Sequence, residues 1–255
     1  MRNRFWRLCK IAIRIRKKVF EVYGMEHVKN AIILAAGQGT RLRPYTDITP
    51  KPLLKVHGKP MIENIIEHLH TGHIYDITIV TGYMHEKFEY LKEKYGVNLV
   101  YNDKYMTMNN ISSLYAVKDL LSTTLIMDGD QIINKQELVR SYIHHSGYTC
   151  YWTSKRKNEW GLSTYFGRIV ACNREYAEFA YVLQSMSYWT EADTAKIKTI
   201  LTEEFLQAHS DKYWDDIALF IKRDQFKLNT FIVNEGDLQE IDTVEEYEEI
   251  NYETN

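Results

Sequence analysis

An α/β fold with a mostly parallel sheet, covered on both faces, is what this chain predicts, and three observations carry it. Apolar runs rich in Ile and Val alternate with stretches of helical spacing from residue 30 onward. Those runs end in small or polar residues at Gly37, at Thr81-Gly82-Tyr83 and at Asp128-Gly129-Asp130, as strands do when their carboxyl ends open on a ligand cleft. The length, 255 residues, is enough for one substantial core with a small added part, and not for a second large domain.

The elements follow in order. In residues 5–23, Phe5, Leu8, Ala12, Ile15, Val19 and Tyr23 recur at three and four spacing, with Arg7, Lys10, Arg14, Lys17 and Lys18 largely on another face, which reads as a basic amphipathic helix. Residues 1–30 carry nine Lys or Arg against two acids, leaving 23 bases and 32 acids in the remainder. We therefore divide the chain into a basic extension, residues 1–28, and a domain, residues 29–255. The extension offers a peripheral membrane contact through residues 5–23, a helix docked on the domain, or the product of a start codon upstream of Met25; its cations interrupt any stretch long enough for a signal-peptide core. Strands are expected at residues 30–36, 75–80, 97–101 and 123–128, and helices at 60–71, 84–95, 111–121 and 135–145. After residue 147 come aromatic, β-rich segments at Tyr148–Ser154, Ser163–Cys172, Tyr176–Val182 and Gln184–Thr190, read as a meander built onto the domain. A helix at 191–208, another opening at Tyr213-Trp214-Asp215-Asp216, a strand near Lys227–Val233 and an acidic helix from about Val244 complete the chain.

Composition narrows the function. No apolar run reaches the ~18 residues of a membrane span. Cys9, Cys150 and Cys172 are odd in number and lack metal-ligand spacing, which argues against a disulfide framework and a zinc site and fits a reducing cytoplasm. No nucleic-acid partner is expected, and the oligomeric state is left open.

The stretch Ala31-Ile32-Ile33-Leu34-Ala35-Ala36-Gly37-Gln38-Gly39-Thr40-Arg41-Leu42-Arg43-Pro44, followed by Thr49-Pro50-Lys51-Pro52-Leu53, carries the chemistry. Small residues after a buried strand let backbone N–H groups approach a polyphosphate, and Arg41 and Lys51 add mobile cations. The dinucleotide fingerprint is excluded, because its third glycine is missing and Pro44 interrupts a helix beginning at Thr40. The G-x-x-x-x-G-K-[ST] loop is absent. A plain glycine turn would account for Gly37 and Gly39 but not for Arg41 and Lys51. A triphosphate also needs Mg²⁺, held by one or two carboxylates with phosphate oxygens and water. Asp130 is preferred to Asp128 for this, with Asp215 as the second ligand because an unpaired carboxylate in its aromatic setting is costly. A helix N-cap is the alternative for Asp215. Trp160, Tyr188 and Tyr213 offer ring faces that suit a quaternary ammonium group, or else pack the core.

The pattern G-x-G-[TS]-R-L-x-P with P-K-P-L downstream resembles the signature of nucleotidyltransferases that make activated sugars and alcohols from a nucleoside triphosphate. Within that superfamily the segments Tyr101-Asn102-Asp103-Lys104-Tyr105, Asn109-Asn110-Ile111-Ser112-Ser113-Leu114-Tyr115, Asn158-Glu159-Trp160, Ser187-Tyr188-Trp189 and Tyr213-Trp214-Asp215 resemble bacterial choline-phosphate cytidylyltransferases over roughly residues 29–250. The resemblance implies a Rossmann-like, three-layer mixed sheet of the nucleotide-diphospho-sugar transferase type, with a small β-rich acceptor-binding part. It implies CTP as donor, a phosphorylated amino alcohol as acceptor, Mg²⁺ as cofactor, and CDP-choline and pyrophosphate as products. On this reading Leu34, Ala36, Gly37, Gly39 and Thr40 cradle the nucleotide, Arg41 takes the departing pyrophosphate, and Lys51 takes the α-phosphoryl group. Asp130 and Asp215 hold Mg²⁺, Thr81, Tyr83, Asn110 and Ser113 read base and ribose, and Glu159, Trp160, Tyr188 and Tyr213 meet the acceptor. The chain departs from the family at Asp216, where an amide is expected, at Gly129, where alanine is usual, and at Gly161-Leu162. These departures bear on the acceptor, so phosphoethanolamine, 2-aminoethylphosphonate or a sugar 1-phosphate stand as alternatives, and a non-catalytic nucleotide-binding module as a further one.

Overall fold

A computed structural model describes residues 24–252; the helix expected at residues 5–23 lies outside the described residues. Strand β1 (Asn30–Ala35) is buried along its whole length, a condition met only when both faces of a sheet are covered. It runs parallel to β2 (Ile77–Thr81) on one side and to β4 (Thr124–Asp128) on the other, and β2 runs parallel to β3 (Asn98–Tyr101). The chain thus proceeds outward from β1 and then returns to β4 across it, which puts the topological switch between β1 and β4. Register completes the arrangement: Ala35 lies opposite Thr81 and Leu34 opposite Asp128, so the three expected strand ends share one rim.

Helix α1 (Met61–Thr71) buries Ile62, Ile65, Ile66 and Leu69 against Ile33 and Met127. On the opposite face Ile32, Leu34 and Ile126 meet Ile111 and Leu114 of α3 (Ile111–Ala116) and Ile197 of α4 (Glu191–Ile200). Each such side chain contributes about 1.5–3 kcal/mol of burial. A shorter helix, α2 (Tyr90–Tyr95), precedes β3.

The aromatic segments are not a meander added to the domain. They form β5 (Gly147–Thr153), β6 (Gly161–Tyr165), β7 (Arg168–Asn173), β8 (Ala180–Trp189) and β9 (Asn229–Ile232), which continue the same sheet in the order β5-β9-β7-β6-β8-β4-β1-β2-β3. Because β5 also pairs with β8, these strands return on themselves as a small ring. The expected segments at Tyr176–Val182 and Gln184–Thr190 give one strand, β8, which pairs with β5 in both its halves, with β6 through Tyr181 and Val182, and with β4 through Ser187–Trp189.

Two further expectations are corrected. Residues 135–145 form no helix but one turn at Gln136–Leu138 and a two-residue strand, Tyr142–Ile143, paired with Glu26–His27. Tertiary partners take the main chain there: Arg140 N–H donates to the Tyr188 hydroxyl at 2.9 Å and Ser141 C=O accepts from Val28 N–H at 3.0 Å. The same pairing holds Glu26 opposite Ile143 and His27 opposite Tyr142. The helix at 191–208 is two, α4 and α5 (Glu203–Ala208), because Thr202 caps the second by accepting from Phe205 N–H. Among the described residues no helix is long and apolar enough to cross a membrane.

Candidate active site

The loop after β1 is held from three directions. Gly39 has φ 62°, and a Cβ there would stand 2.9 Å from Cβ of Lys51 and 3.0 Å from Cγ2 of Thr46, so both conformation and space demand glycine. Thr46 donates its hydroxyl to Gly39 C=O at 2.8 Å, and Tyr83 donates its own to Thr46 C=O at 2.9 Å. Leu34 C=O accepts from Gly129 N–H at 2.8 Å and Ala36 C=O from Tyr83 N–H at 3.1 Å, binding the three strand ends together. Gly37 lies in this loop, and Thr40 opens the single helical turn that carries Arg41.

Lys51 sits beneath this loop, only 6% exposed. Its Nζ lies 2.5 Å from Asp130 Oδ2 and 2.7 Å from Asp242 Oδ1, and Arg41 reaches the same Asp242 oxygen at 2.8 Å. Burial alone would lower the lysine's pKa, but the two carboxylates outweigh it and raise it, so the ammonium is a fixed cation. Sequence reasoning missed Asp242, which comes from the segment ahead of α6 (Val244–Tyr252). A signal for it was present in Thr243-x-x-Glu246, a reciprocal cap in which Glu246 accepts from Thr243 N–H at 3.0 Å and Thr243 accepts from Glu246 N–H at 3.2 Å. Glu246 also accepts from Asp242 N–H at 2.7 Å and so fixes that residue's backbone. Asp130, Glu240 and Asp242 bring carboxylate oxygens within 4.8 Å of one another. A cleft of about 340 Å³ opens beside them, lined by Glu159, Gln184, Glu240, Asp242 and Glu246. The Glu159 carboxyl is pushed up by withdrawal from water and by Asp242, against Arg41.

Asp215 does not join that carboxylate cluster. It lies nearby on the turn ahead of the helical segment Ile217–Ile221, where Trp214 N–H donates to Asn110 Oδ1 at 2.9 Å. Burial pushes the Asp215 carboxyl up to about 7. The two groups meet through Asp128, whose carboxyl is raised by burial and then by both Asp130 and Asp215. Asp130 and Asp215 each retain a buried oxygen, Oδ1, without a hydrogen-bond partner. Orphaned carboxylate oxygens are costly in a protein interior and are the donor type Mg²⁺ takes, so these residues fit that ion. Thr81 and Ser113 are buried and turned to local partners: Thr81 donates weakly to Val100 C=O at 3.4 Å, and Ser113 accepts from Asn102 Nδ2 at 3.1 Å.

Trp160 and Tyr213 meet edge to face, with centroids 5.6 Å apart, and Phe220 meets Trp160 in the same way at 5.8 Å. Tyr188 does not join them. Alternation along β8 sends it into the opposite core beside Phe231, where its hydroxyl donates to Leu138 C=O at 2.6 Å; the acceptor contact expected of it is replaced by a core role. Of two departures from the family, one acquires a cause. A Cβ at Gly161 would lie 2.7 Å from Tyr176 C=O, whereas at Gly129 it would meet nothing closer than 3.2 Å. Only Gly161 is therefore imposed by a crossing backbone.

A family model described as nucleotidyl transferase matches residues 30–177. The chain belongs to the nucleotidyl transferase family. This nucleotidyl transferase is 38% identical over 223 residues to a choline-phosphate cytidylyltransferase of Streptococcus pneumoniae, covering 86% of this chain and 96% of the relative. It is 36% identical to a 2-aminoethylphosphonate cytidylyltransferase of Lancefieldella rimae, over 74% of this chain and 78% of that one. The solved structure of the CTP:phosphocholine cytidylyltransferase from Streptococcus pneumoniae superposes with a TM-score of 0.83 at 35% identity, over 90% of this chain and all of that one.

Proposed function

We propose that this nucleotidyl transferase carries CMP from CTP to phosphocholine, giving CDP-choline and pyrophosphate, in the cytoplasm. The observation that carries the reaction type is Lys51, a buried cation held between Asp130 and Asp242 at the mouth of the glycine loop. Likeness to choline-phosphate cytidylyltransferases over most of the chain carries the choice of substrates. A phosphomonoester has its second pKa near ~6 and is mostly dianionic at neutral pH, so the acceptor needs no general base. What the site must supply is alignment and charge neutralisation at the α-phosphorus.

The backbone of residues 37–40 receives the outer phosphates, Arg41 steadies the leaving pyrophosphate, and Lys51 neutralises charge growing on the α-phosphoryl group. Arg41 and Lys51 exchange Asp242 for phosphate oxygens as the nucleotide enters. Asp130 and Asp215 would hold Mg²⁺, which when bound supplies Lewis-acid neutralisation of the phosphates. Asn110 positions Asp215 through Trp214, Tyr83 buttresses the loop through Thr46, and Trp160, Tyr213 and Glu159 border the acceptor.

Rates of pyrophosphate release across a panel of CTP, UTP, dTTP and ATP against phosphocholine, phosphoethanolamine, 2-aminoethylphosphonate and glucose 1-phosphate test the reading. CTP with phosphocholine should give the highest kcat/KM. A second reading, 2-aminoethylphosphonate as acceptor, is favoured by the relative named for that substrate; a higher kcat/KM for the phosphonate would install it instead.

A further inference from the structure

The rim that Trp160 and Tyr213 form contains a cation of the protein's own. Arg174, the residue after β7, lays its guanidinium 3.9 Å from the centre of the Phe220 ring and 5.4 Å from that of Trp160. The same guanidinium is ion-paired with Asp216, whose carboxylate is 1% exposed while the arginine side chain is 40% exposed. The other oxygen of Asp216 accepts from Tyr213 N–H at 3.0 Å, which ties the carboxylate to the segment bearing the third ring. Two aromatic faces and a buried carboxylate are the groups that a quaternary ammonium, having no N–H to donate, depends upon. Here all of them are already engaged.

We propose that Arg174 is a tethered occupant of the acceptor's ammonium subsite, holding the faces of Phe220 and Trp160 and the carboxylate of Asp216 until a substrate cation takes them over. The proposal rests on the reading that the Trp160 rim receives the acceptor. A trimethylammonium and a guanidinium cannot occupy the same ring face, so the arginine, 3.9 Å from the centre of the Phe220 ring, must swing outward, and its partial exposure gives it a path to water. Apparent affinity for the acceptor is then the intrinsic affinity reduced by the fraction of molecules in which Arg174 is out. Arg174 is thus a specificity-determining residue: it admits only acceptors whose cation outcompetes a guanidinium on aromatic faces.

Steady-state kinetics of Arg174→Gln and Arg174→Lys with phosphocholine test this, beside Trp160→Ala. Arg174→Gln frees Asp216 and both rings, and should lower KM for phosphocholine by about three- to tenfold, in larger proportion than it changes kcat. Arg174→Lys keeps a cation on Asp216, and with it the fold, but lacks the planar stack; its KM should lie between that of Arg174→Gln and the parent. An unchanged or raised KM in both Arg174 variants, with KM raised by Trp160→Ala, would overturn the self-occupied subsite while leaving the acceptor rim in place. If Trp160→Ala leaves KM for phosphocholine unmoved, the rim is not the acceptor site and the proposal fails with that reading.

Discussion

At the scale of single residues, the site sets a charge that the fold stabilises beside one that it penalises. Lys51 is fixed as a cation by two carboxylates, so its charge is in place before any phosphate arrives, and such preorganisation acts mainly on the transition state. Lys51→Ala should therefore lower kcat by about 10²-fold or more while shifting KM for CTP much less; initial rates at varied CTP decide it, and equal small changes in both would reduce Lys51 to a binding contact. Asp215 makes the opposite case. Its carboxyl rises from the ordinary 3.8 to about 7 because it is buried, so the folded state holds a proton that the unfolded state has lost across that interval. The resulting stability is full below pH 3.8, declines as pH climbs, and is gone above about 7. Asp215→Asn removes the penalty of the unpaired charge, and in EDTA at pH 8 it should raise stability by on the order of 1–4 kcal/mol while depressing Mg²⁺-dependent turnover. Thermal melts at pH 5 and pH 8 check the sign: the gain must be larger at pH 8. No gain at pH 8 would mean that Asp215 is satisfied in the fold, and not reserved for a metal.

Elements decide how precisely those residues meet. Asp242 reaches Lys51 and Arg41 because the cap at Thr243 and Glu246 stops the chain at the head of α6, more than 190 positions from the loop it neutralises. Thr243→Ala should cost about 0.5–2 kcal/mol of stability and, by loosening Asp242, change KM for CTP beyond what the stability loss explains; urea melts and CTP titrations together separate the two effects. This contact also marks where reading by sequence stopped. β1, β2, β3 and β4 were legible as apolar runs with polar ends, and Gly39, Arg41, Lys51 and Asp130 by their spacing along one loop and one strand end. Asp242 and Glu240 arrive from the far end of the chain, where Thr243-x-x-Glu246 marks the start of a helix but does not tell a solvated acid from one aimed at a lysine. Tyr188 was misread for the related reason that alternation along a strand becomes a direction only once the faces of the sheet are known. Residues 135–145 carried the spacing of a helix, but Arg140 and Ser141 found tertiary partners for their main chain, and propensity gave way.

Across the whole molecule, the proposed reading gives one sheet two substrate sites, and their separation is testable. The parallel strands β4, β1 and β2 present the phosphate loop and Asp130 at the topological switch, while the ring of β5 to β9 carries Trp160 on the segment before β6. The turn bearing Tyr213, Asp215 and Asp216 carries both a proposed metal ligand, Asp215, and two residues of the proposed ammonium subsite, Tyr213 and Asp216. If the division is real, damage on the ring side should be confined to the acceptor. Phosphocholine should be preferred to phosphoethanolamine by about ten- to thirtyfold in kcat/KM, corresponding to about 1–2 kcal/mol, since a hydrated primary ammonium gains less from aromatic faces than a trimethylammonium. Trp160→Ala should shrink that margin severalfold and leave KM for CTP within about twofold of the parent, because residues with no shared partner behave nearly independently. A matrix of initial rates over both substrates provides the measurement. A rise in KM for CTP matching that for phosphocholine would show the halves to be one coupled site, and a preference for the primary amine would transfer the acceptor assignment while leaving nucleotidyl transfer untouched.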